Sequence, residues 1–361
     1  MPVATDRPDT RRTREPGTPP RPLVVLASIV LATGTGAAIW LLPSRAQGEW
    51  AAPGERAGAG ATPAKTALAP TPSPSPSPSP SPTVARPSGF VTFVDAVREP
   101  RFNLSREARR SHVRWFTLGH LTAGLTERKG CVPRWGGLQE QGGNPVANRL
   151  ASLRAAGGDA GLAFGGPAGR ELASACSDLA RLTAAYRRAI DAFAATYVDF
   201  EVRDPAGGAT VLRRARAIAA LQREAAGEGR SLTVSFTLPV TGTGLSPGDQ
   251  EMLRATRAAG AEIAIVNLLA PVGPVPGAGS RLRPIASAVR AAHPQIARSL
   301  GESAAWHRIA LTPVLAGSGD LTRPEARRLA AFTSRNHLAW LSTRGVTLSP
   351  GITRFLSGAT R

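Results

Sequence analysis

From Gly89 onward the chain repeats one pattern: a short run of apolar and β-branched residues, then a longer stretch rich in Ala, Arg and Leu. The short runs read as strands, and the apolar residues of the long stretches recur at helical spacing. The runs are GFVTFVD from Gly89, VRWFTLGH from Val113, DAGLAFGG from Asp159, TYVDFEV from Thr196, LTVSFTLPV from Leu232, AEIAIVNLL from Ala261, RIALTPVL from Arg308 and LAWLST from Leu338. Helices are expected over RELASACSDLARLTAAYRRAIDAFAA, ATVLRRARAIAALQREAA and RPEARRLAAFTSRN. Only a short helix fits between the first two runs, in AVREPRFNLSREARRS. Eight strands with intervening helices in about 270 residues predict the α/β class and a closed (β/α)8 TIM barrel. A doubly wound open sheet is the alternative, but no Gly-rich phosphate loop opens the domain.

Ahead of this domain the chain reads in three zones. Residues 1–22 are polar, rich in Arg and Pro, and not expected to fold. Residues 23–42, LVVLASIVLATGTGAAIWLL, carry no charge and are of membrane-spanning length. Arg7, Arg11, Arg12, Arg14 and Arg21 precede that stretch, which places Met1 in the cytoplasm and the remainder outside. The stretch is either an uncleaved anchor or a long signal peptide cleaved near Ala46; its length favours the anchor. Residues 43–88 contain alternating Ser-Pro, which forms neither helix nor sheet and prefers polyproline II. Such a tract makes a spacer on the order of 50–80 Å long. The barrel is then assigned to 89–361.

The formal charge is +19, nearly all of it arginine, since Lys65 and Lys129 are the sole lysines. A charge of that size means either a solvated basic surface or attraction to a polyanion such as anionic lipid or wall polymer. No nucleic-acid motif is present, and the export topology argues against that partner. The two cysteines, Cys131 and Cys176, are expected to pair in an exported domain. His112, His120, His293, His307 and His337 are scattered, with no metal-ligand spacing, so neither metal nor other cofactor is expected.

In a barrel of this kind the active site forms at the C-terminal ends of the strands. Those ends carry Asp95, His120, Gly165 and Gly166, Pro239, Asn267, Pro313, and Trp340 with Ser342. The fourth run, YVDFEVRDP from Tyr197, is the sole end with clustered acids. Strand alternation points Asp199, Glu201 and Arg203 to one face and Phe200 and Val202 to the other. That fits carboxylate chemistry on a sugar better than a Ser or Cys nucleophile, for which no base-paired constellation is visible.

These residues resemble glycoside hydrolase family 18, the chitinases. The resemblance spans most of Gly89 to Val346. Leu153 to Ala173 is similar to the family's third strand, with Ala163-Phe164-Gly165-Gly166 in place of Ser-Phe-Gly-Gly. CVPRWGG from Cys131, with Cys176, is similar to a cysteine pair in some members. VSFTLPV from Val234 and LTPVLAGSGD from Leu311 resemble later strands, and Trp340 falls where the family's eighth-strand tryptophan floors the sugar pocket. The resemblance implies that Gly165, Gly166, Asn267 and Trp340 bind substrate and that Asp199 and Glu201 belong to the catalytic motif.

Two departures follow. The family's fourth strand ends Asp-x-Asp-x-Glu, the last residue being the general acid and the sugar's own acetamide the nucleophile. Here Asp199 matches the first Asp, Glu201 the second, and Arg203 stands at the acid. An arginine side chain is always cationic and cannot serve as that acid. Glu201 lies one inward step deeper, about 6.5–7 Å along the strand, and Asp204 has the wrong parity. After the sixth strand the family's Met-x-Met-Asp-Tyr is replaced by VNLLAPVGP. Few aromatics remain for sugar stacking; Tyr186 is expected inside a helix, away from the cleft.

The expected function is therefore an extracytoplasmic, membrane-anchored chitinase-like barrel that binds an N-acetylglucosamine-containing or peptidoglycan-like glycan, with hydrolysis lost or much reduced. The alternatives are a glycosidase using Glu201 or Asp204 as acid, and an envelope interaction module that does not read sugar. The charges of Asp199, Glu201 and Arg203 also fit a buried compensating network. Trp340 fits plain core packing, and the two glycines fit a close backbone approach.

Overall fold

The structure, a computed structural model, describes residues 86–125, 130–203, 207–273, 280–303 and 306–360. The expected cytoplasmic tail, the apolar stretch 23–42 and the spacer up to residue 85 lie outside these residues, as does Asp204.

Eight parallel strands close into a barrel. They are β1 (Gly89–Asp95), β2 (Trp115–Ala123), β4 (Asp159–Gly165), β5 (Tyr197–Glu201), β6 (Thr233–Pro239), β7 (Ile265–Pro271), β8 (Ile309–Val314) and β9 (Trp340–Leu341). β1 pairs in parallel with β2 on one side and β9 on the other, which closes the ring and excludes an open sheet. A ninth strand, β3 (Pro133–Trp135), pairs antiparallel with the end of β2. The sequence pattern shows no strand there; pairing with Leu121–Ala123 decides it.

The register sets two packing layers. Phe164, Phe200 and Phe236 lie side by side on β4, β5 and β6 and stack at 5.5 and 5.6 Å between centroids. They face outward, toward the helices. Tyr186, on the helix behind them, meets Phe164 and Phe200 edge-on. The intervening residues point inward, where Val91, Tyr197, Ala310 and Trp340 form the inner apolar layer. Strands buried on both faces need apolar residues on both, so their runs show weak alternation.

Nine α-helices lie among the described residues: α1 (Leu104–Ser111), α2 (Leu150–Ala155), α3 (Leu172–Ala175), α4 (Leu179–Ala192), α5 (Gly208–Gly227), α6 (Pro247–Ala258), α7 (Leu282–Leu300), α8 (Arg323–Arg335) and α9 (Pro350–Ala359). Side-chain oxygens of Asn103, Asp178, Ser246 and Ser349 cap α1, α4, α6 and α9 by accepting from a backbone N–H in the first turn. The sequence reads one continuous helix through residues 170–195, and the structure corrects this to α3 and α4. Cys176 is extended at the break, Asp178 starts a new helix, and Cys176 is tied to Cys131. That disulfide has its Cα atoms 4.9 Å apart and joins residues 45 apart in sequence. Closing a loop of that size restricts the unfolded chain by about 4 kcal/mol.

Candidate functional site at the barrel mouth

Asp199 and Glu201 both point into the barrel from β5, and each is 1 % exposed. Their surroundings differ. Asp199 sits among hydroxyls: Ser235 donates to one carboxylate oxygen and Thr237 to the other, the latter at 2.7 Å. The register puts these partners there, because Asp199 pairs with Ser235 and Glu201 with Thr237. The chain of bonds continues outward. Tyr197 bonds Ser235 at 2.9 Å, Asn267 donates to Thr237 at 3.0 Å, and Thr312 donates to Asn267 at 2.8 Å. Burial pushes the Asp199 carboxyl up to about 6, although the Ser235 and Thr237 hydrogen bonds oppose the rise.

Glu201 is held by charge. His120 Nε2–H donates to Oε2 at 2.8 Å, Arg203 Nε–H donates to Oε1 at 2.9 Å, and Arg344 Nη1 donates to Oε2. Burial works against ionisation here too. The His120 hydrogen bond and the Arg344 charge outweigh it and hold the carboxyl well below the usual carboxylate range. Arg344 is nearly buried and its guanidinium lies 3.6 Å from the centroid of the Phe93 ring, while the Arg203 side chain is half exposed at the rim.

Gly165 and Gly166 have φ values of +88° and +99°. A Cβ on Gly165 would lie 2.3 Å from the Glu201 carbonyl oxygen, and one on Gly166 would lie 2.4 Å from the His120 ring. The Gly166 N–H also donates to that carbonyl at 3.0 Å. The pair thus lets the top of β4 close onto Glu201 and His120. Trp340, offered by the sequence as either sugar floor or core, packs in the inner core. It is 2 % exposed and meets the Tyr197 ring edge-on at 5.7 Å. Tyr186 is buried on α4, where its hydroxyl donates to Glu171 at 2.9 Å.

Phe93 and Arg344 divide the barrel mouth in two. Outside them is an open cleft of about 420 Å3, bordered also by Asp95, Arg98, Phe102 and Arg203. Inside them is a pocket of about 10 Å3, bordered by Asp199, Asn267, Trp340 and Ser342. The inner pocket has room for about one water. Phe93 and Arg344 border both spaces.

No protein-family model matches the sequence. Over 182 residues, half of the chain, it is 28 % identical to a probable bifunctional chitinase/lysozyme of Escherichia coli, of which this covers 20 %. Over 124 residues, 34 % of the chain, it is 32 % identical to Endochitinase 11 of Metarhizium anisopliae, of which this covers 24 %. Among solved structures, active domain 2 of a Pyrococcus furiosus chitinase superposes with a TM-score of 0.62 at 22 % identity, over 76 % of this chain and 94 % of that one. The chain is chitinase-like, similar to glycoside hydrolase family 18.

A family 18 chitinase of Cycas revoluta, solved with (GlcNAc)3, superposes on the chitinase-like barrel with a TM-score of 0.52 at 12 % identity, over 75 % of this chain and 98 % of that one. Identities this low speak for the fold alone. The chain also spans only about a fifth to a quarter of the curated relatives it matches. The structure brings Asp199, Glu201, Arg203, His120 and Gly166 together at one mouth and leaves Trp340 beneath it in the inner core. Sequence reasoning missed Arg344 and Phe93. A signal for Arg344 was present: the alternation Trp340, Ser342 continues to residue 344.

Proposed function

We propose that this chitinase-like barrel binds chito-oligosaccharide or a related N-acetylglucosamine-containing glycan in the open cleft, and that hydrolysis there is lost or much reduced. The observation that carries the reading is the state of Glu201. A general acid must hold a proton at working pH and present it about 3 Å from the leaving oxygen. Glu201 is buried, ionised and already bonded to His120, Arg203 and Arg344. Arg203, at the rim, carries a guanidinium, which is not a general acid. Asp199 titrates in a suitable range, but Phe93 and Arg344 shut it into a space too small for a sugar ring.

The glycan part of the reading is supported by related structures, among them a Pyrococcus furiosus chitinase domain complexed with chito-oligosaccharides and the Cycas revoluta enzyme with (GlcNAc)3. The cleft, at about 420 Å3, is of ligand-binding size. A disulfide belongs to an oxidising compartment, which supports an extracytoplasmic location. In the same reading residues 1–22 stay in the cytoplasm, 23–42 anchor the chain, 43–88 space it from the membrane and 89–361 form the glycan-binding domain.

The test is to titrate the full-length chain with chitin oligosaccharides and assay the same samples for new reducing ends. Saturable binding without turnover is expected. Turnover that Glu201→Gln abolishes would overturn the loss of hydrolysis, and absence of binding would overturn the glycan reading.

A further inference from the structure

A second concave feature lies outside the barrel, between α7 and α8, and shares no residue with the cleft at the mouth. It is a groove of about 380 Å3. Its floor is apolar, built on Leu282 and Ile285 of α7 and Leu329 and Phe332 of α8. Its rim is cationic: Arg283 and Arg290 come from α7, Arg328 and Arg335 from α8.

Among the described residues none of these four guanidinium groups forms an ion pair. Arg290 instead lies over the Phe332 ring, 5.6 Å from its centroid. The local sequence explains the lack of partners. α7 carries Arg283, Arg290 and Arg298 and no acid. α8 carries Arg323, Arg327, Arg328 and Arg335 against one acid, Glu325, which is taken up in capping Thr322. Arginines on other helices do find acids, as Arg110 finds Glu107 on α1 and Arg254 finds Glu251 on α6.

Four like charges around one trough repel each other, so an anion placed among them is favoured. The guanidinium fork matches phosphate oxygens in paired hydrogen bonds. A hydrated polymer of phosphate or sugar gains nothing from a floor of Leu, Ile and Phe, whereas an acyl chain does. Basic pockets between transmembrane helices hold lipid head groups, and the groove between α7 and α8 offers the same chemistry. We propose that this groove binds an anionic lipid, with the phosphate on the arginine rim and the first part of the acyl chain on the apolar floor.

The probe is monomeric dihexanoyl phosphatidylglycerol, titrated into the full-length chain by calorimetry. Dihexanoyl phosphatidylcholine and inorganic phosphate are run beside it. The chain with Arg283, Arg290, Arg328 and Arg335 all changed to Gln removes the rim. Ala286 of α7 also lines the groove, and Ala286→Trp fills the floor and leaves the charge alone. A control changes four exposed arginines elsewhere, Arg106, Arg109, Arg181 and Arg216, to Gln. All variants keep residues 23–42, so any binding by that stretch cancels. The expected result is saturable binding of phosphatidylglycerol, weakened at least about tenfold by the rim variant and by Ala286→Trp. The control is expected to bind like the parent, and phosphatidylcholine to bind weakly. Three results overturn the proposal. An equal loss in the control means diffuse charge. Unaltered binding by Ala286→Trp means the floor is not used. Inorganic phosphate binding as tightly as the lipid means a phosphate site without a lipid.

Discussion

Asp199 and Glu201 stand two residues apart on β5, equally buried and equally aimed into the barrel, yet their carboxyl groups are driven in opposite directions. The hydrogen bonds to Asp199 come from neutral hydroxyls. Glu201 meets two arginines and a histidine. The contrast shows what offsets the loss of water around a buried carboxylate. Two hydroxyl dipoles are insufficient, while a nearly buried guanidinium with further hydrogen bonds is more than enough. The deeper acid is left able to take a proton but sealed from ligand. The outer one lies behind His120, Arg203 and Arg344, which border the cleft, and has no proton to give.

The most severe way to break this contrast is Glu201→Gln. It leaves Arg344 nearly buried without its anion, and the expected cost is about 3–5 kcal/mol in denaturant unfolding. An unchanged midpoint would mean that the charges at the mouth are solvated.

Next in size is the pH response. The folded Asp199 carboxyl lies at about 6, above its ordinary 3.8, so its favourable contribution is present below 3.8 and lost as pH rises through about 6. The loss is about 3 kcal/mol for a shift of that size. Asp199→Asn should remove this decline between pH 4 and pH 6, measured as stability against pH. Glu201 has the opposite sign. Its contribution is present above its ordinary 4.5 and lost as pH falls below that, so it opposes the decline at the acid end of this window and leaves it standing at the upper end.

Arg344→Met keeps an apolar stem against Phe93 but removes the charge on Glu201, with an expected loss of about 2 kcal/mol. It should also raise the Glu201 carboxyl, seen by carboxyl NMR, and so make the outer acid resemble the inner one. The smallest effect is expected for Arg203→Gln. Its side chain is half exposed, so its pair with Glu201 is screened and its loss costs about 1 kcal/mol or less. A cost for Arg203→Gln equal to that for Arg344→Met would show that the rim arginine, not the inner one, holds Glu201.

Much of the scaffold is legible along the chain. GFVTFVD coincides with β1, ATVLRRARAIAALQREAA falls within α5, and RPEARRLAAFTSRN overlaps α8. These elements follow from side-chain period, which each segment carries within itself. The break between α3 and α4 is not legible, because a bond to Cys131 helps to define it. Nor is β3, which exists by pairing with β2.

At the site the same division holds. Strand alternation alone put Asp199, Glu201 and Arg203 on one face and Phe200 on the other, and the paired glycines at the end of β4 marked a close approach. Which neighbours those acids meet was not contained in any local pattern. Ser235 reaches Asp199 across 36 residues of sequence and Arg344 reaches Glu201 across 143. The first distance collapses when β5 pairs with β6, and the second only when β1 pairs with both β2 and β9 and the ring closes. The sequence by itself determined the strands, the helices and the inward row of charges, because these depend on residue type and spacing. Only the tertiary structure decided that one acid would be sealed among hydroxyls and the other held by arginine, because a carboxylate's charge state depends on its neighbours in space.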